Sequence, residues 1–554
     1  MTAPATTVAP AATRGTNDSE SSGVRDDRRG ATVLRAVSHL AAELPLVVLG
    51  VVELARGWRP LYDNADLALR SYQVFTSHTP LVGHQMAVSA GTHAVFGPGP
   101  VQNWVLAVPV RIDPAQGVLW GSLVAVVVAV ALAVEASWSV AGWRGAAVAS
   151  GSVLVLGLAR TDVPLDVAWN VWFGLFFLIT TVATGSAVAT GRLRWWPVTV
   201  VAATVVVQCQ AAFAPPAVAV CLLAPAVGIV VSRRTSERTG TGGLLVGAVV
   251  GAVVWVAPVV QQVTTSPGNL TLLARAARDS GPSIGVTASL RALGGATWLP
   301  PSWVHPLPSP GTALFFAIAG LFAGPAWWGI TVLALLAGVA VVGWRGGRTA
   351  LAATAAVVFA LTAGTVVAIA TVPGSQFLVV GYLGALWVPV GTAVWVAFVW
   401  AAWTVVSAAA RLRGGTRDPQ RTVDRWRRPA LTATAIVLVV MSAGVVWRGL
   451  DRMDGTIPAL ADWSAVHATA AAADVVQEVA PTGPFRLQVA GPGSATHFAV
   501  VTGVAYLLVT RGLDPRPDAP IAYATFGRPP AHGPTVVLVV PDRGGPVAAH
   551  LVKG

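Results

Sequence analysis

The chain has 554 residues, of which 54% are hydrophobic and only 11% are charged. Soluble proteins carry about 25% charged residues, so this composition excludes an ordinary soluble domain and predicts an integral membrane protein. The formal net charge of +12 comes almost wholly from arginine, because Lys553 is the only lysine. In a membrane protein such an excess belongs mainly to cytoplasmic loops, which argues against nucleic-acid binding.

The first part of the chain changes from polar to apolar. Residues 1–32 lack apolar periodicity and predict a disordered cytoplasmic tail. A membrane domain over 33–449 follows, because apolar stretches of roughly 20 residues recur along it. The first span, near 40–55, is weak because it contains Glu43 and Glu53. With it, about eleven spans of this length are predicted. The others lie near 116–138, 143–160, 166–189, 196–213, 215–232, 244–262, 326–344, 349–371, 380–408 and 429–448.

Arginine positions predict the orientation. If the N-terminus is cytoplasmic, the short loops between alternate spans are also cytoplasmic, and they hold most of the arginines. These are Arg144, Arg192, Arg194, Arg233, Arg234, Arg238, Arg345, Arg348 and the cluster from Arg411 to Arg428. The loops 56–115 and 263–325 are then external. The sequence thus predicts a multi-pass protein of the cell membrane with an extracytoplasmic C-terminal domain.

The last hundred residues, 450–554, differ in kind. A helix-like stretch at 459–479 leads to a strand-like stretch at 485–490. A second helical stretch, 494–511, precedes an apolar strand that ends at Val540. This alternation with Gly/Pro-rich loops predicts a small α/β domain on the outer face.

The first external loop holds more carboxylates than any other loop between the predicted spans. Asp63, Asp66 and Arg70 lie at helical spacing in D-N-A-D-L-A-L-R. One interpretation is structural: Asp63 is the N-cap of a helix, and Asp66 pairs with Arg70 at i, i+4. The other is catalytic, because a carboxylate at the membrane surface is well placed to accept a proton from an acceptor hydroxyl. The sequence leaves both open.

Histidines and arginines of the external loops are further candidates for site residues. His78, His84 and His93 are spaced too irregularly for a convincing metal site, so no cofactor is predicted and a divalent metal is unsupported. External arginines are candidates for gripping phosphate, since guanidinium groups match its oxygens. For any one of them, anchoring at the membrane interface is the commoner role. These arginines are Arg59, Arg70, Arg111, Arg275 and Arg278.

Several short segments resemble the GT-C superfamily, and more closely an actinobacterial group of membrane proteins of that type. The similar segments are D-N-A-D-L-A-L-R-S-Y-Q-V-F (63–75), P-G-P (98–100), W-N-V-W (169–172), Q-C-Q (208–210) and A-P-V-V-Q-Q-V-T-T-S-P-G-N-L (257–270). GT-C proteins are integral membrane glycosyltransferases that use polyprenyl-phosphate-linked sugars. The last segment is the most specific of the five.

The resemblance implies a fold, a reaction and partners. It implies an α-helical polytopic fold and sugar transfer from a polyprenyl-phosphate donor to a glycan, lipid or protein of the cell envelope, among membrane lipids. Asp63 matches the catalytic position of the superfamily, where many members carry a second adjacent acid in place of Asn64. We therefore predict Asp63 and Asp66 as catalytic residues. The predicted substrate-binding residues are Arg70, Arg111, Gln262, Asn269 and Arg275.

Two other classes of protein are alternatives. A transporter or lipid flippase commonly shows paired half-repeats and charged residues buried in the middle of its spans, and neither pattern is evident in the sequence. A non-catalytic scaffold for envelope assembly would use the C-terminal domain to bind its partner.

Overall fold

The computed structural model describes a mainly helical chain. The residues that it describes are 17–90, 93–160, 165–234, 242–279, 281–304, 322–374, 381–413, 419–454, 463–490, 495–517, 534–539 and 548–552.

The helices of the membrane domain follow the apolar pattern. In chain order they are α1 (Asn17–Ala55), α2 (Tyr62–Gln73), α3 (Val101–Ile112), α4 (Gly117–Ala141), α5 (Trp143–Ala159), α6 (Asn170–Ala189), α7 (Trp196–Cys209), α8 (Ala214–Arg234), α9 (Gly242–Val254), α10 (Val256–Thr264), α11 (Asn269–Asp279), α12 (Val286–Thr297), α13 (Ala326–Arg345), α14 (Thr349–Ala370), α15 (Trp387–Arg413) and α16 (Pro419–Asp454). A hairpin of β1 (Gln85–Ala90) and β2 (His93–Phe96) lies between α2 and α3.

Among the described residues, eight helices are long and apolar enough to cross a membrane. The pair α9 and α10, bent by 41°, forms a ninth candidate. Apolar helices also occupy the two remaining predicted positions, but α5 and the segment 193–209 are shorter. A helix of 17 residues is about 25 Å long, less than the roughly 30 Å of a bilayer core. The predicted count of about eleven spans is therefore not confirmed.

The first helix begins earlier than the sequence predicts. It starts at Asn17, inside the stretch 1–32 predicted as a disordered tail, and residues 1–16 lie outside the described part. Proline is absent from residues 17–32, so no residue there lacks the backbone N–H group that a continuing helix requires.

The centre of the bundle is α6, whose side chains are almost all buried. It packs against α4, α7 and α8. Its aromatic side chains Trp172, Phe173 and Phe176 are among the largest fully buried groups of the chain. The N-terminus of this helix therefore provides a rigid edge for the loop that precedes it.

The C-terminal region forms an α/β unit. Its elements are α17 (Trp463–Val479), β3 (Pro484–Ala490), α18 (Ala495–Thr510), β4 (Asp514–Pro517), β5 (Thr535–Val539) and β6 (Ala548–Val552). The strand order is β4-β3-β5-β6, with β3 parallel to β4 and to β5, and β6 antiparallel to β5. The sequence did not predict β4, which contains two prolines; proline is tolerated there because β4 is an edge strand.

Candidate active site in the first loop

The helix α2 carries the candidate carboxylates. It begins one residue before Asp63, which contradicts the interpretation of Asp63 as the N-cap. The N-cap position is Leu61, which makes no side-chain capping bond, and Asp63 lies in the first turn. Asp63 is therefore not the N-cap. The preceding residue, Tyr62, has a φ of +47°, a region that non-glycine residues rarely adopt.

Asp63 is held from two sides and remains half-exposed. The indole Nε1–H of Trp169 donates to its Oδ2 at 2.9 Å. The Nε2 atom of His84 lies 3.4 Å from its Oδ1. The side chain is nevertheless 48% exposed. Its carboxylate thus has a fixed orientation and an open edge.

Asp66 lies deeper and is closed off by partners. Its side chain is 5% exposed, with Arg70 Nε donating to Oδ1 at 3.0 Å and His84 Nδ1 lying 2.7 Å from Oδ2. The guanidinium of Arg70 also lies 4.8 Å from the ring centroid of Phe96. The predicted i, i+4 pair of Asp66 and Arg70 is confirmed, and His84 bridges both aspartates.

We call Asp63, Asp66, Arg70 and His84 the cluster. Its opposite charges stabilise one another's charged forms. Burial lowers the pKa of the His84 imidazole, but the charges of Asp63 and Asp66 and its contacts with them raise it to about 10. Desolvation raises the pKa of Asp63, while His84 and the Trp169 hydrogen bond lower it to below the usual value. For Asp66, desolvation is likewise outweighed by Arg70 and His84, and its pKa is lowered. At neutral pH the cluster holds two carboxylates, one imidazolium and one guanidinium.

The loop before α6 places Trp169. Its Ala168 carbonyl accepts a hydrogen bond from Gln102 Nε2 at 2.9 Å, and Asp166 Oδ1 accepts one from Asn64 Nδ2 at 2.9 Å. Trp169 also packs edge-to-face on Trp172, with ring centroids 4.9 Å apart. This loop is therefore tied to the start of α2 and to the start of α3, and these ties fix the indole beside Asp63.

Arg111 contacts the C-terminal end of α2, away from the cluster, and Arg275 lies on α11. The Nε and Nη2 atoms of Arg111 donate to the carbonyl of Tyr72 at 2.9 and 2.7 Å, and its guanidinium covers the Tyr72 ring at 4.1 Å. Arg111 thus secures the other end of α2. Arg275 is exposed on α11.

Gln262 and Asn269 make structural contacts. Gln262 Nε2 donates to Thr271 Oγ1 at 2.7 Å, and its Oε1 accepts from the Leu270 amide at 2.9 Å. Asn269 exchanges hydrogen bonds with the backbone of Phe96, at 3.0 Å to its amide and 2.9 Å to its carbonyl. Gln262 thus joins α10 to α11, and Asn269 docks α11 on the hairpin. Substrate binding by either residue stays a prediction.

The sequence interpretation missed His84 and Trp169 as site residues. In the sequence, His84 is one of three irregularly spaced histidines, and Trp169 is part of the W-N-V-W segment. Neither position shows a local pattern that links it to Asp63. Among the described residues, no group of three His, Cys, Asp or Glu side chains could hold a metal ion.

Comparison with known proteins gives a weak structural likeness. No protein-family model and no curated protein matches the chain. It is similar to ArnT from Cupriavidus metallidurans bound to undecaprenyl phosphate, with 14% sequence identity and a TM-score of 0.47, over 90% of this chain and 92% of that chain. For ArnT in the apo state the identity is 15% and the TM-score 0.39, over 90% of this chain and 93% of that chain. These values do not assign the chain to a family.

Proposed function

We propose that the protein is a membrane glycosyltransferase that moves a sugar from a polyprenyl-phosphate donor to a cell-envelope acceptor on the outer face of the membrane. The observation that carries this proposal is the half-exposed Asp63 carboxylate, oriented by Trp169 and His84. A general base needs a fixed oxygen within reach of the proton that it accepts, and Asp63 is such a group.

The proposed reaction has one proton transfer and one bond exchange. The acceptor hydroxyl oxygen forms a bond with the anomeric carbon as the bond from that carbon to the phosphate oxygen breaks. Asp63 accepts the hydroxyl proton, and the polyprenyl phosphate leaves with the bonding electron pair. An external arginine would stabilise the leaving phosphate, and Arg275 is an exposed candidate.

Two residues next to cluster members in the sequence carry buried acceptor atoms that bear on the kind of ligand. Asn64 Oδ1 and Gln85 Oε1 are buried and have no hydrogen-bond partner within the described structure. They neighbour Asp63 and His84 in the sequence. Buried polar atoms are normally hydrogen-bonded, and sugar hydroxyls are donors that would satisfy these two oxygens. The polyprenyl part of the donor rests on the family resemblance of the sequence segments.

Substitution of Asp63 by asparagine tests the proposal. Asp63→Asn keeps the shape and the acceptor oxygen but removes the base, so transfer should fall by about 10²–10⁴-fold, the usual loss for a positioned base. The measurement is the transfer of radiolabelled sugar from the lipid-phosphate pool of membranes that contain the wild-type protein or the variant.

The matched control is Glu478→Gln, which removes an exposed carboxylate on α17 and should leave transfer unchanged. Full transfer by Asp63→Asn would contradict the catalytic role. If the wild-type protein moved donor lipid across liposomes without transferring sugar, the flippase alternative would replace the proposal. Binding of an envelope partner without either activity would favour the scaffold.

A further inference from the structure

We propose that the C-terminal α/β unit supports this site. Its helix α18 holds the segment 60–62 in the conformation that orients Asp63. Gly503 is the positioning residue, and Asp63 remains the group that would touch substrate. The inference rests on the proposed function for its catalytic consequence, but the placement itself is independently measurable.

The first observation is a close approach between backbones. A Cβ atom added at Gly503 would lie 2.8 Å from Thr469 Cγ2 and 3.0 Å from both Leu61 Cδ2 and the Pro60 carbonyl oxygen. The 2.8 Å approach to Thr469 is shorter than real Cβ contacts, and the two 3.0 Å approaches are shorter than nine in ten of them, so a side chain at position 503 would force its neighbours to shift. The surface that it touches is the residue pair directly before α2.

The second observation is the backbone conformation next to Asp63. Tyr62 has a φ of +47°, in the left-handed region that costs a non-glycine residue free energy. Such a conformation persists only where the surrounding structure enforces it. Pro60 and Leu61 are both buried, and α18 contributes to that burial through Gly503.

The third observation is a second attachment point on the same helix. Tyr506 is fully buried, and its hydroxyl donates to the carbonyl of Pro114 at 2.7 Å. The turn after Pro114 is itself tied to the end of α1, because Gln116 Nε2 donates to the Leu54 carbonyl at 2.9 Å. The helix α18 therefore contacts the chain before α2 and the chain before α4.

From these contacts it follows that the conformation of Tyr62, and with it the direction of Asp63, depends on a unit more than 400 residues away in the sequence. Residues 500–508 of α18 are all buried. A shift of this helix away from Leu61 should therefore release the segment 60–62.

The experiment compares Gly503→Ala with Arg511→Gln in the full chain. Gly503→Ala places a methyl group against Thr469, Leu61 and Pro60. Arg511→Gln breaks contacts inside the C-terminal unit, where Arg511 donates to Asp474 Oδ1 and Gln477 Oε1, both at 2.8 Å. A third variant, Leu61→Ala, removes the same contact from the side of the loop. Amide hydrogen exchange over residues 59–66 and the kinetics of sugar transfer are measured for each.

We expect Gly503→Ala and Leu61→Ala to speed exchange over 59–66 by about tenfold, as expected for a locally opened segment. Transfer should fall by about 10- to 100-fold in kcat, because small misplacements of a catalytic group are costly, while the donor KM stays near its wild-type value. Arg511→Gln should change neither. Unchanged exchange in both test variants, or an equal change in Arg511→Gln, would overturn the positioning role. Absence of transfer by the wild-type protein would overturn the proposed function, and the exchange data would still decide the placement.

Discussion

The two aspartates of α2 share one histidine unequally, and this difference separates their roles. His84 Nδ1 lies 2.7 Å from Asp66, whereas its Nε2 lies 3.4 Å from Asp63. Asp66 also pairs with Arg70 and is closed to solvent, so we propose that it holds the imidazolium in place; its catalytic role stays a prediction. Asp63 keeps an open edge and the looser contact. The carboxylate that can meet a substrate is therefore Asp63.

The contribution of His84 to stability should depend on pH. Its pKa is about 10 in the folded protein against an ordinary value of 6.5. A raised folded pKa stabilises the protein fully below the unfolded value, and that stabilisation is lost as pH rises through the folded value. The wild-type protein should thus lose its thermal-stability advantage over His84→Gln between pH 6.5 and about 10. The control His78→Gln, at an exposed position of the same loop, should show no such trend. A pH-independent difference for His84→Gln would contradict the ion-pair assignment.

The Trp169 indole should affect transfer activity through its hydrogen bond to Asp63 Oδ2. Trp169→Phe keeps an aromatic ring but loses the donor to Asp63 Oδ2. A hydrogen bond to a charged group contributes about 1.5–3 kcal/mol, so transfer should fall by roughly 10- to 100-fold, less than for Asp63→Asn. Trp298→Phe, which alters a tryptophan that is 43% exposed, serves as the control. Equal activity of Trp169→Phe and the wild-type protein would show that the indole does not orient the carboxylate.

At the scale of elements, α11 and the β-hairpin form a support beside the cluster. Phe96 accepts and donates backbone hydrogen bonds with Asn269, and its ring lies under the guanidinium of Arg70. The apolar face of α11, with Leu272 and Ala276, packs on Val95 of the hairpin. The opposite face presents Arg275 and Arg278 to the exterior. One short helix thus has a structural face and a charged face.

These two faces should respond differently to substitution. Asn269→Ala leaves backbone groups of Phe96 without partners and should lower the free energy of unfolding by about 1–3 kcal/mol, with little change in the donor KM. Arg275→Gln, on the exposed face of the same helix, should leave stability unchanged. Thermal unfolding in detergent and transfer kinetics measure both effects. A raised KM with unchanged stability for Asn269→Ala would instead favour the predicted substrate-binding role.

At the scale of the whole molecule, the candidate site and the C-terminal unit lie at one end of the helical bundle. The contacts of α18 with α2 and with Pro114 place them together. Successive spans run in opposite directions, so the end of the bundle away from Asp63 holds several arginines. These are Arg144, Arg194, Arg234 and Arg345. The positive-inside rule predicts that the arginine-rich end is cytoplasmic, and we therefore propose that the Asp63 end faces outward.

Cysteine labelling tests this orientation. Ser77 is exposed in the first loop and Arg345 is exposed at the far end of α13. In a background with Cys209 and Cys221 replaced by alanine, Ser77→Cys should react with an impermeant maleimide in intact cells. Arg345→Cys should react only after the membrane is opened. The reverse pattern would place Asp63 in the cytoplasm and remove the basis for an external reaction.

The sequence by itself determined those features that depend on residues close together in the chain. Apolar stretches indicated the membrane class and the positions of the helices, and the i, i+4 spacing of Asp66 and Arg70 predicted their ion pair. Each of these features depends on residues within a few turns of one helix. The lengths of α5 and α7 were less predictable, because the ends of buried helices are set by packing.

Tertiary structure alone decided the environment of Asp63. Its indole partner is 106 residues away in the sequence, and the helix that supports its backbone lies in the C-terminal unit. The same holds for the start of α2, which is Tyr62 with Leu61 as N-cap rather than Asp63. Contacts between distant segments form only when the bundle closes around α6, so no spacing or periodicity in the chain records them.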